Sequence, residues 1–279
     1  MLVFPKAKIN LGLRITGKRT DGYHDIETVF YPVGLSDALE LVSDFKSSGD
    51  RLTVTGSELP GRKEDNIVLG AIKKLREGRP IPFLKIHLHK IIPAGSGLGG
   101  GSSDAAFMLR ALNKMFSLSL SRDELKAIAA GLGSDCPFFI DCQPSFATGR
   151  GEILSPVDNV LDGFFTVLLN PGISISTKEA YERCLPGRHE RSLRKLINFP
   201  VSEWKDLIVN DFERTVFIIH PEIKAIKQSL YSSGAIYSSM SGSGSTVYGI
   251  FKEKPLIPAN LRKYIIYEGI LQSISAQAK

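Results

Sequence analysis

The chain has 279 residues, of which 43% are hydrophobic and 23% are charged, so it carries enough apolar material for a core and is not wholly disordered. The formal net charge of +6 fits a protein that handles polyanions such as nucleotides, phosphorylated metabolites or RNA, without choosing among them. The 3 cysteines show no paired spacing, and no stretch approaches the roughly 20 apolar residues of a membrane span. We therefore expect a cytoplasmic protein without a signal sequence.

Alternating apolar residues predict strands along the chain. Residues 8–15 are predicted to form a strand with one apolar face, made of Ile9, Leu11, Leu13 and Ile15. Residues 84–89 alternate in the same way, which places His87 and His89 on the solvent side of a half-buried strand. Further strands are predicted at residues 27–32, 136–140, 164–169, 235–239 and 246–251.

Capping residues mark the starts of two predicted helices. Asp65 or Asn66 precedes an apolar pattern at helical spacing, and either side chain can cap that helix. Ser121, with Glu124 three residues later, has the signature of a capping box. Trp204 is predicted to pack in the interior rather than to serve as a binding platform.

The most informative segment is PAGSGLGGGSSD at residues 93–104. Because glycine lacks Cβ, several backbone N–H groups of such a loop can converge on one anion. A helix predicted to begin near Ser102 adds the partial positive charge of its N-terminus. A merely flexible glycine loop is the alternative, but the strand before it and the amphipathic helix after it favour a di- or triphosphate site. The predicted phosphate site comprises Pro93, Ala94, Gly95, Ser96, Gly97, Leu98, Gly99, Gly100, Gly101, Ser102 and Ser103.

Three segments, in this order, resemble the motifs of the GHMP kinase superfamily, which includes galactokinase, homoserine kinase and mevalonate kinase. AKINL at residues 7–11 resembles the first motif, residues 93–104 the second, and MSGSGST at residues 240–246 the third. The resemblance implies an α+β, two-lobed GHMP kinase fold with the active site in the cleft between the lobes. Residues 1–155 would form a lobe like a ribosomal-protein domain that carries the phosphate loop, and residues 156–279 an α/β lobe. It also implies ATP as the phosphoryl donor, with Mg²⁺ arriving together with ATP.

Four shorter segments narrow the resemblance to one branch of the superfamily. They are DGYH at residues 21–24, GSDCP at 133–137, GRGE at 149–152 and NDFE at 210–213. In that branch the acceptor is a tertiary hydroxyl of a polyol linked to cytidine diphosphate, so small molecules rather than nucleic acid or a membrane are the implied partners. The alternatives are a kinase of homoserine or mevalonate and, in another class, a basic RNA-binding protein. Against the last, the lysines and arginines are dispersed and no stripe of aromatic and basic residues is visible.

The resemblance implies that Asp135 and Lys8 carry the chemistry. The Asp135 carboxylate takes the proton of the acceptor hydroxyl, and a nearby Lys8 ammonium keeps that carboxylate ionised and offsets phosphoryl charge. From the residues alone, Asp135 could instead cap a helix and Lys8 could face solvent. Lys6, on the same strand face, would then be an equal candidate, and Asn10, next on that face, is predicted to contact substrate or backbone.

The resemblance also implies that Tyr23 and His24 recognise the cytosine, one by stacking and one through its polar edge. A turn pair that packs on the sheet is the alternative for these two residues. Tyr181 lies where the family places a second aromatic ring against the base, although a helical tyrosine could equally belong to the core. Arg150 is a possible donor to the substrate diphosphate. No cluster of cysteine and histidine predicts a structural metal site, and Ser103 is the one protein ligand for Mg²⁺ that the sequence indicates.

Overall fold

A computed structural model of the protein describes residues 1–176, 180–181, 184, 186–187 and 190–272. The chain divides into two compact units, each assembled from several segments. The first unit is made of Met1–Ala7, Leu35–Ala94 and Gly99–Cys142, and the second of Lys8–Gly34, Gly95–Leu98 and the described residues from Gln143 onwards. A domain boundary between residues 155 and 156 stays a prediction.

Strands and helices follow each other along the described residues. The strands are β1 (Leu2–Val3), β2 (Lys6–Lys18), β3 (His24–Ser36), β4 (Ala38–Ser43), β5 (Arg51–Gly56), β6 (Leu84–Lys90), β7 (Ser145–Thr148), β8 (Ile153–Pro156), β9 (Phe165–Leu169), β10 (Tyr237–Met240), β11 (Val247–Phe251) and β12 (Ile265–Ile270). The helices are α1 (Ile67–Arg76), α2 (Gly100–Met115), α3 (Arg122–Ala130), α4 (Cys136–Asp141), α5 (Leu193–Leu196), α6 (Trp204–Leu207), α7 (Glu213–Ile219) and α8 (Pro221–Ser232). None of these helices has the length and apolar character needed to cross a membrane.

The first unit is built on a four-stranded sheet in the order β1, β4, β6, β5. Strand β4 runs antiparallel to β6, whereas β5 runs parallel to it. Along β6 the inward side chains are apolar while His87 and His89 are exposed, as the alternation predicts. Helix α2 packs against α1 and α4 in the same unit.

Both predicted helix starts are confirmed. Asn66, rather than Asp65, is the N-cap of α1, and its side chain accepts a hydrogen bond from a backbone N–H of the first turn. Ser121 caps α3 and forms a complete capping box with Glu124. Each cap satisfies backbone groups that the helix itself leaves unpaired and stabilises it by about 1 kcal/mol.

The strand predicted at residues 136–140 is wrong, because this segment is helix α4. The first five residues of α4 are all buried. A short run that is apolar all round lacks the periodicity that separates a strand from a buried helix. Pro137 in the first turn favours the helix, since its fixed φ suits that position and its missing N–H is not needed there.

The second unit contains two four-stranded sheets, in the orders β2, β3, β7, β8 and β10, β11, β9, β12. Strand β9 pairs antiparallel with both β11 and β12. Helix α8 packs on β10 and β11 and contacts α7. The strands predicted at residues 164–169, 235–239 and 246–251 correspond to β9, β10 and β11, and residues 27–32 lie within β3. Trp204 is fully buried and donates its Nε1–H to the carbonyl of Phe199 at 2.8 Å, which confirms its packing role.

Strand β2 is buried on both faces. Its predicted apolar face is confirmed, and the opposite face carries the buried polar residues Lys8, Asn10 and Arg14. A polar face removed from water requires hydrogen-bond partners, because an unpaired buried polar group costs about 1–3 kcal/mol. The partners of Lys8 and Asn10 define the candidate site.

Candidate active site

Lys8 is a buried cation in β2, with 3% of its surface exposed. Its Nζ donates to the side-chain Oδ1 of Asn10 at 2.6 Å and to the carbonyl of Gly97 at 3.0 Å. The ammonium also lies 5.0 Å from the centroid of the Phe30 ring. A solvent-facing lysine is therefore excluded, and this charge is anchored to a carbonyl of the predicted phosphate loop.

Asn10 orients Lys8 from two residues further along β2. While its Oδ1 accepts from the lysine, its Nδ2 donates to Thr28 Oγ1 at 3.0 Å, and Thr28 donates in turn to the carbonyl of Gly12 at 2.5 Å. This chain of bonds fixes the asparagine amide, with its oxygen towards the ammonium. Sequence reasoning missed Thr28, and a contact between Asn10 and substrate stays a prediction.

Gly97 lies at the closest approach between the phosphate loop and the third glycine-rich segment, residues 240–246. Its backbone has φ +78°, and a Cβ there would lie 1.9 Å from the carbonyl oxygen of Ser241. The Ser241 hydroxyl donates to the Gly97 carbonyl at 2.9 Å, and the backbone N–H of Lys8 donates to the carbonyl of Leu98 at 3.0 Å. Residues 95–98 are thereby fixed against both β2 and residues 240–246, all within the second unit.

Helix α2 of the first unit begins at Gly100, two residues earlier than predicted. Gly99 is its N-cap, in the left-handed conformation, and no side chain caps this end. The N–H groups of the first turn are therefore directed at whatever lies beyond the helix start, which is the arrangement that binds phosphate. Ser103, in this turn, is buried, and its Oγ has no hydrogen-bond partner among the described residues.

Asp135 directly precedes α4 in the first unit. It occupies the N-cap position, yet its side chain makes no capping hydrogen bond, so the capping interpretation is not supported. The same turn lies beside the start of α2, because a Cβ on Gly133 would be 3.9 Å from Ser102 Oγ. Burial raises the pKa of the neighbouring Cys136 thiol to about 11, although a hydrogen bond with Ser102 lowers it. The thiol therefore stays protonated near neutral pH, and the role of Asp135 as general base stays a prediction.

Tyr181 and His24 form an aromatic pair in the second unit. Their ring centroids lie 5.1 Å apart with an interplanar angle of 20°, and Tyr181 also meets Phe212 edge-on at 4.9 Å. Tyr181 packs against the core on one side and against His24 on the other, so its predicted core role is confirmed, while its contact with the cytosine stays a prediction. The two residues are 157 positions apart in the sequence, so no local sequence pattern predicts their contact.

Tyr23 is 55% exposed and carries the Arg150 guanidinium 4.7 Å from its ring centroid. The two turns that hold these residues are joined where Ile26 N–H donates to the carbonyl of Gly149 at 2.7 Å. The candidate acceptor residues of the second unit therefore combine an open aromatic face with a cation, which suits a base attached to a diphosphate.

A buried ion network in the first unit was missed by sequence reasoning. Lys90 Nζ contacts the carboxylates of Asp37 and Asp104, the latter at 2.7 Å, and all three side chains are at most 2% exposed. Burial, opposed by Lys90 and reinforced by Asp37, raises the pKa of Asp104 to about 7. The sequence pattern could have indicated this network. In the alternation of β6, Lys90 falls on the inward face, where a buried charge requires a partner. A Cβ on Gly100 would lie 3.3 Å from Lys90 Nζ, so the network sits against the start of α2.

The part of the chain that the structure describes contains no group of three histidine, cysteine, aspartate or glutamate residues able to hold a metal ion. That Mg²⁺ arrives together with ATP stays a prediction.

Comparison with known families defines the class of this protein. The family models for the N-terminal domain and the C-terminal part of the GHMP kinases match residues 66–142 and 192–263. A crystal structure of the Methanococcus jannaschii mevalonate kinase has the same fold, with a TM-score of 0.65 at 13% identity over 90% of both chains. The chain is a GHMP kinase, with ATP as its phosphoryl donor, and the predicted superfamily and α+β fold class are confirmed.

Closer relatives narrow this class to one family. A protein of Parabacteroides distasonis named 4-diphosphocytidyl-2-C-methyl-D-erythritol kinase is 51% identical over 255 residues, which cover 91% of this chain and 93% of the relative. A crystal structure of a 4-(cytidine 5'-diphospho)-2C-methyl-D-erythritol kinase matches 90% of both chains with a TM-score of 0.75 and 32% identity. The chain belongs to the 4-diphosphocytidyl-2-C-methyl-D-erythritol kinase family.

Proposed function

We propose that this protein transfers the γ-phosphoryl group of ATP to the C2 hydroxyl of 4-diphosphocytidyl-2-C-methyl-D-erythritol, giving the 2-phosphate and ADP. The reaction belongs to the methylerythritol phosphate route to isoprenoid precursors. The observation that carries the proposal is the buried Lys8 ammonium held on the phosphate-loop carbonyl of Gly97, in a chain 51% identical to a kinase of that name. Membership of this family favours the cytidine-diphosphate acceptor over homoserine, mevalonate and RNA.

The ATP phosphates bind to the backbone N–H groups of residues 95–103, at the uncapped start of α2. Ser103 fits a role as ligand to Mg²⁺, because its buried hydroxyl has no partner among the described residues. A Mg²⁺ ion held there would neutralise charge that develops on the phosphate oxygens. The first turn of α2 contributes fixed N–H dipoles, which need no reorganisation as charge moves during transfer.

Asp135 acts as the general base and Lys8 as the stabilising cation. The acceptor oxygen forms a bond to the γ-phosphorus while the bond from that phosphorus to the β–γ bridging oxygen breaks. The proton of the acceptor hydroxyl passes to the Asp135 carboxylate, and the electron pair of the broken bond stays with ADP. Asn10 and Gly97 hold the Lys8 ammonium at a fixed position, so its charge is preorganised.

Tyr23, His24 and Tyr181 recognise the cytosine, and Arg150 interacts with the diphosphate. Their arrangement supports this role, because an exposed ring, a stacked pair and a guanidinium are the groups that bind a base and phosphate oxygens. We further propose small molecules as the partners and a cytoplasmic location, which the free, buried thiols of all three cysteines support.

A coupled assay of ADP release tests the reaction with three acceptors: 4-diphosphocytidyl-2-C-methyl-D-erythritol, homoserine and mevalonate. We expect turnover with the first alone, and a loss of at least about 100-fold in kcat for Asp135→Asn. Thermal unfolding of the variant, measured beside the wild type, separates a loss of catalysis from a loss of folding. Turnover with homoserine or mevalonate instead would overturn the acceptor, and full activity of the variant would exclude Asp135 as the base.

The neighbouring lysines of β2 provide a matched pair that tests the cation. Lys8→Met removes the donor to Asn10 and Gly97 and should lower kcat/KM by about 100-fold, because a preorganised charge is lost. Lys6→Met makes the same chemical change two positions away and should alter kcat/KM by less than about 3-fold. The opposite order of effects would mean that Lys6, rather than Lys8, is the catalytic lysine.

A further inference from the structure

The NDFE segment at residues 210–213 has no role in the function described so far. Its three polar side chains, Asn210, Asp211 and Glu213, are nevertheless buried in the second unit. Burying two carboxylates and an amide side by side is unfavourable unless each is bonded to defined partners. Those partners include backbone groups of two segments that carry the candidate site.

Asn210 is bonded to the third glycine-rich segment. Its Nδ2 donates to the carbonyls of Met240 and Gly242, at 2.8 Å each, and its Oδ1 accepts from the N–H of Phe212 at 3.1 Å. With two carbonyls beside the nitrogen and an N–H beside the oxygen, the reversed orientation of the amide would lose all three bonds. The asparagine thus fixes both sides of the turn that contains Ser241.

Glu213 holds the same segment from its N-terminal side. One carboxylate oxygen accepts from the N–H of Met240 at 2.8 Å and from the hydroxyl of Ser239 at 3.1 Å. The other oxygen accepts from Lys227 Nζ of α8 at 2.6 Å, which neutralises the buried charge. Met240 is therefore held at its N–H by Glu213 and at its carbonyl by Asn210.

Asp211 is hydrogen-bonded to β2, the strand that contains Lys8. Its Oδ2 accepts from the N–H of Ile15 at 2.9 Å, and its own N–H donates to the carbonyl of Leu13 at 2.8 Å. Leu13 and Asn210 also form a bridge of parallel-sheet type. One segment of four residues therefore fixes both β2 and residues 240–246.

These two segments meet at the carbonyl of Gly97. That oxygen accepts from Ser241 Oγ at 2.9 Å and from Lys8 Nζ at 3.0 Å, so its position depends on where both are held. We propose that residues 210–213 are a positioning motif, which sets the phosphate loop and the Lys8 ammonium in place for phosphoryl transfer by fixing Ser241 and β2. The inference rests on the proposed function for its effect on turnover, but its effect on ATP binding is independent of the acceptor.

The test measures the Kd of ATP by calorimetry and kcat by ADP release. Asn210→Ala removes both bonds to the segment and should raise the Kd of ATP about 10-fold, because Ser241 and the Gly97 carbonyl would no longer be held in place. Ser238→Ala is the matched control, because its buried hydroxyl bonds the carbonyl of Tyr248 within the sheet and not residues 240–246. We expect less than about a 2-fold change in Kd for the control at a comparable loss of thermal stability.

A double-mutant cycle with Ser241→Ala distinguishes positioning from general destabilisation. If Asn210 acts through Ser241, the double variant should have an ATP Kd within about 2-fold of that of the single variant that binds ATP less tightly. If the two residues act independently, the two increases in Kd would multiply. Multiplying effects, or an equal loss in Ser238→Ala, would overturn the proposal. Should Asn210→Ala not fold, Glu213→Gln keeps the side-chain volume but loses the charge paired with Lys227, and an ATP Kd equal to that of the wild type would overturn it equally. Absent turnover in the wild type, with intact effects on ATP binding, would refute the acceptor and leave the positioning motif in place.

Discussion

The contact between Gly97 and Ser241 makes a sharp prediction for the substitution Gly97→Ala. A Cβ at this position would lie 1.9 Å from the Ser241 carbonyl oxygen and 2.8 Å from its carbonyl carbon. Real Cβ atoms do not approach other heavy atoms closer than 3.0 Å, so the two backbones must separate by at least 3.0 − 1.9 = 1.1 Å. The Ser241 carbonyl cannot simply rotate away, because it accepts the N–H of Gly244 at 3.0 Å and closes that turn.

This displacement has two separable costs. The left-handed backbone costs an alanine about 1–2 kcal/mol wherever it occurs. The forced separation adds a second cost, because it stretches the bonds from Ser241 and Lys8 to the Gly97 carbonyl, at 2.9 and 3.0 Å. A misplacement of about 1 Å in catalytic geometry lowers the rate about 100-fold, so we expect kcat/KM for ATP to fall by about that factor.

Gly78→Ala is the control for the first cost alone. Its φ of +75° is nearly that of Gly97, and a Cβ there meets nothing within 4 Å. Thermal unfolding should show a decrease of about 2–4 °C for Gly78→Ala, as expected for about 1 kcal/mol in a chain of this size, and a larger decrease for Gly97→Ala. Steady-state kinetics with varied ATP should show an effect in Gly97→Ala alone. Equal stability and equal kcat/KM in the two variants would refute the argument, since the close approach would then have no consequence.

Two further predictions concern Asp104 and Tyr181. Burial, opposed by Lys90, raises the pKa of Asp104 from 3.8 to about 7, so the folded state retains a proton that the unfolded state releases. The resulting stability is complete at acid pH and is lost as the pH rises through about 7. In the wild type the free energy of unfolding should therefore fall by up to about 1.4 kcal/mol per pH unit between about pH 5 and pH 7, and Asp104→Asn should abolish this decrease. Parallel plots of the denaturant-derived free energy of unfolding against pH for the two proteins would contradict this. Tyr181→Leu removes the ring stacked on His24 and should raise the KM of the cytidylyl acceptor about 3- to 10-fold with no change in the KM of ATP, whereas Tyr181→Phe should behave like the wild type. An equal rise in both KM values would indicate that Tyr181 serves the core alone.

Elements with a local signal were predictable from the sequence. The caps at Asn66 and Ser121 succeed because a helix start is decided by hydrogen bonds within four residues. Strand β6 succeeds because its alternation reports one buried face. The prediction of a strand at residues 136–140, where the structure has helix α4, was wrong for the opposite reason. A segment that is buried on all sides shows no hydrophobic period.

The roles of polar residues on buried faces were not predictable in the same way. Lys8 and Lys6 are chemically identical and lie on one face of β2, and alternation alone does not distinguish them. In the structure Lys8 bonds to Asn10 and to the Gly97 carbonyl, and only the fold brings the second partner, 89 residues away, to Lys8. Family resemblance favoured Lys8 because a family motif carries information on distant contacts that local propensity lacks, and the catalytic role of Lys8 stays a prediction.

The carbonyl of Gly97 connects the three motifs at residues 7–11, 93–104 and 240–246. The first motif supplies Lys8, the second supplies the carbonyl itself, and the third supplies Ser241, whose hydroxyl lies 144 residues away along the chain. One oxygen with two lone pairs accepts both donors, so neither donor can be displaced without altering the position of the other. Changes in any of the three motifs should therefore act on one shared quantity, the placement of the phosphate loop relative to the ammonium, and should be less than additive in combination.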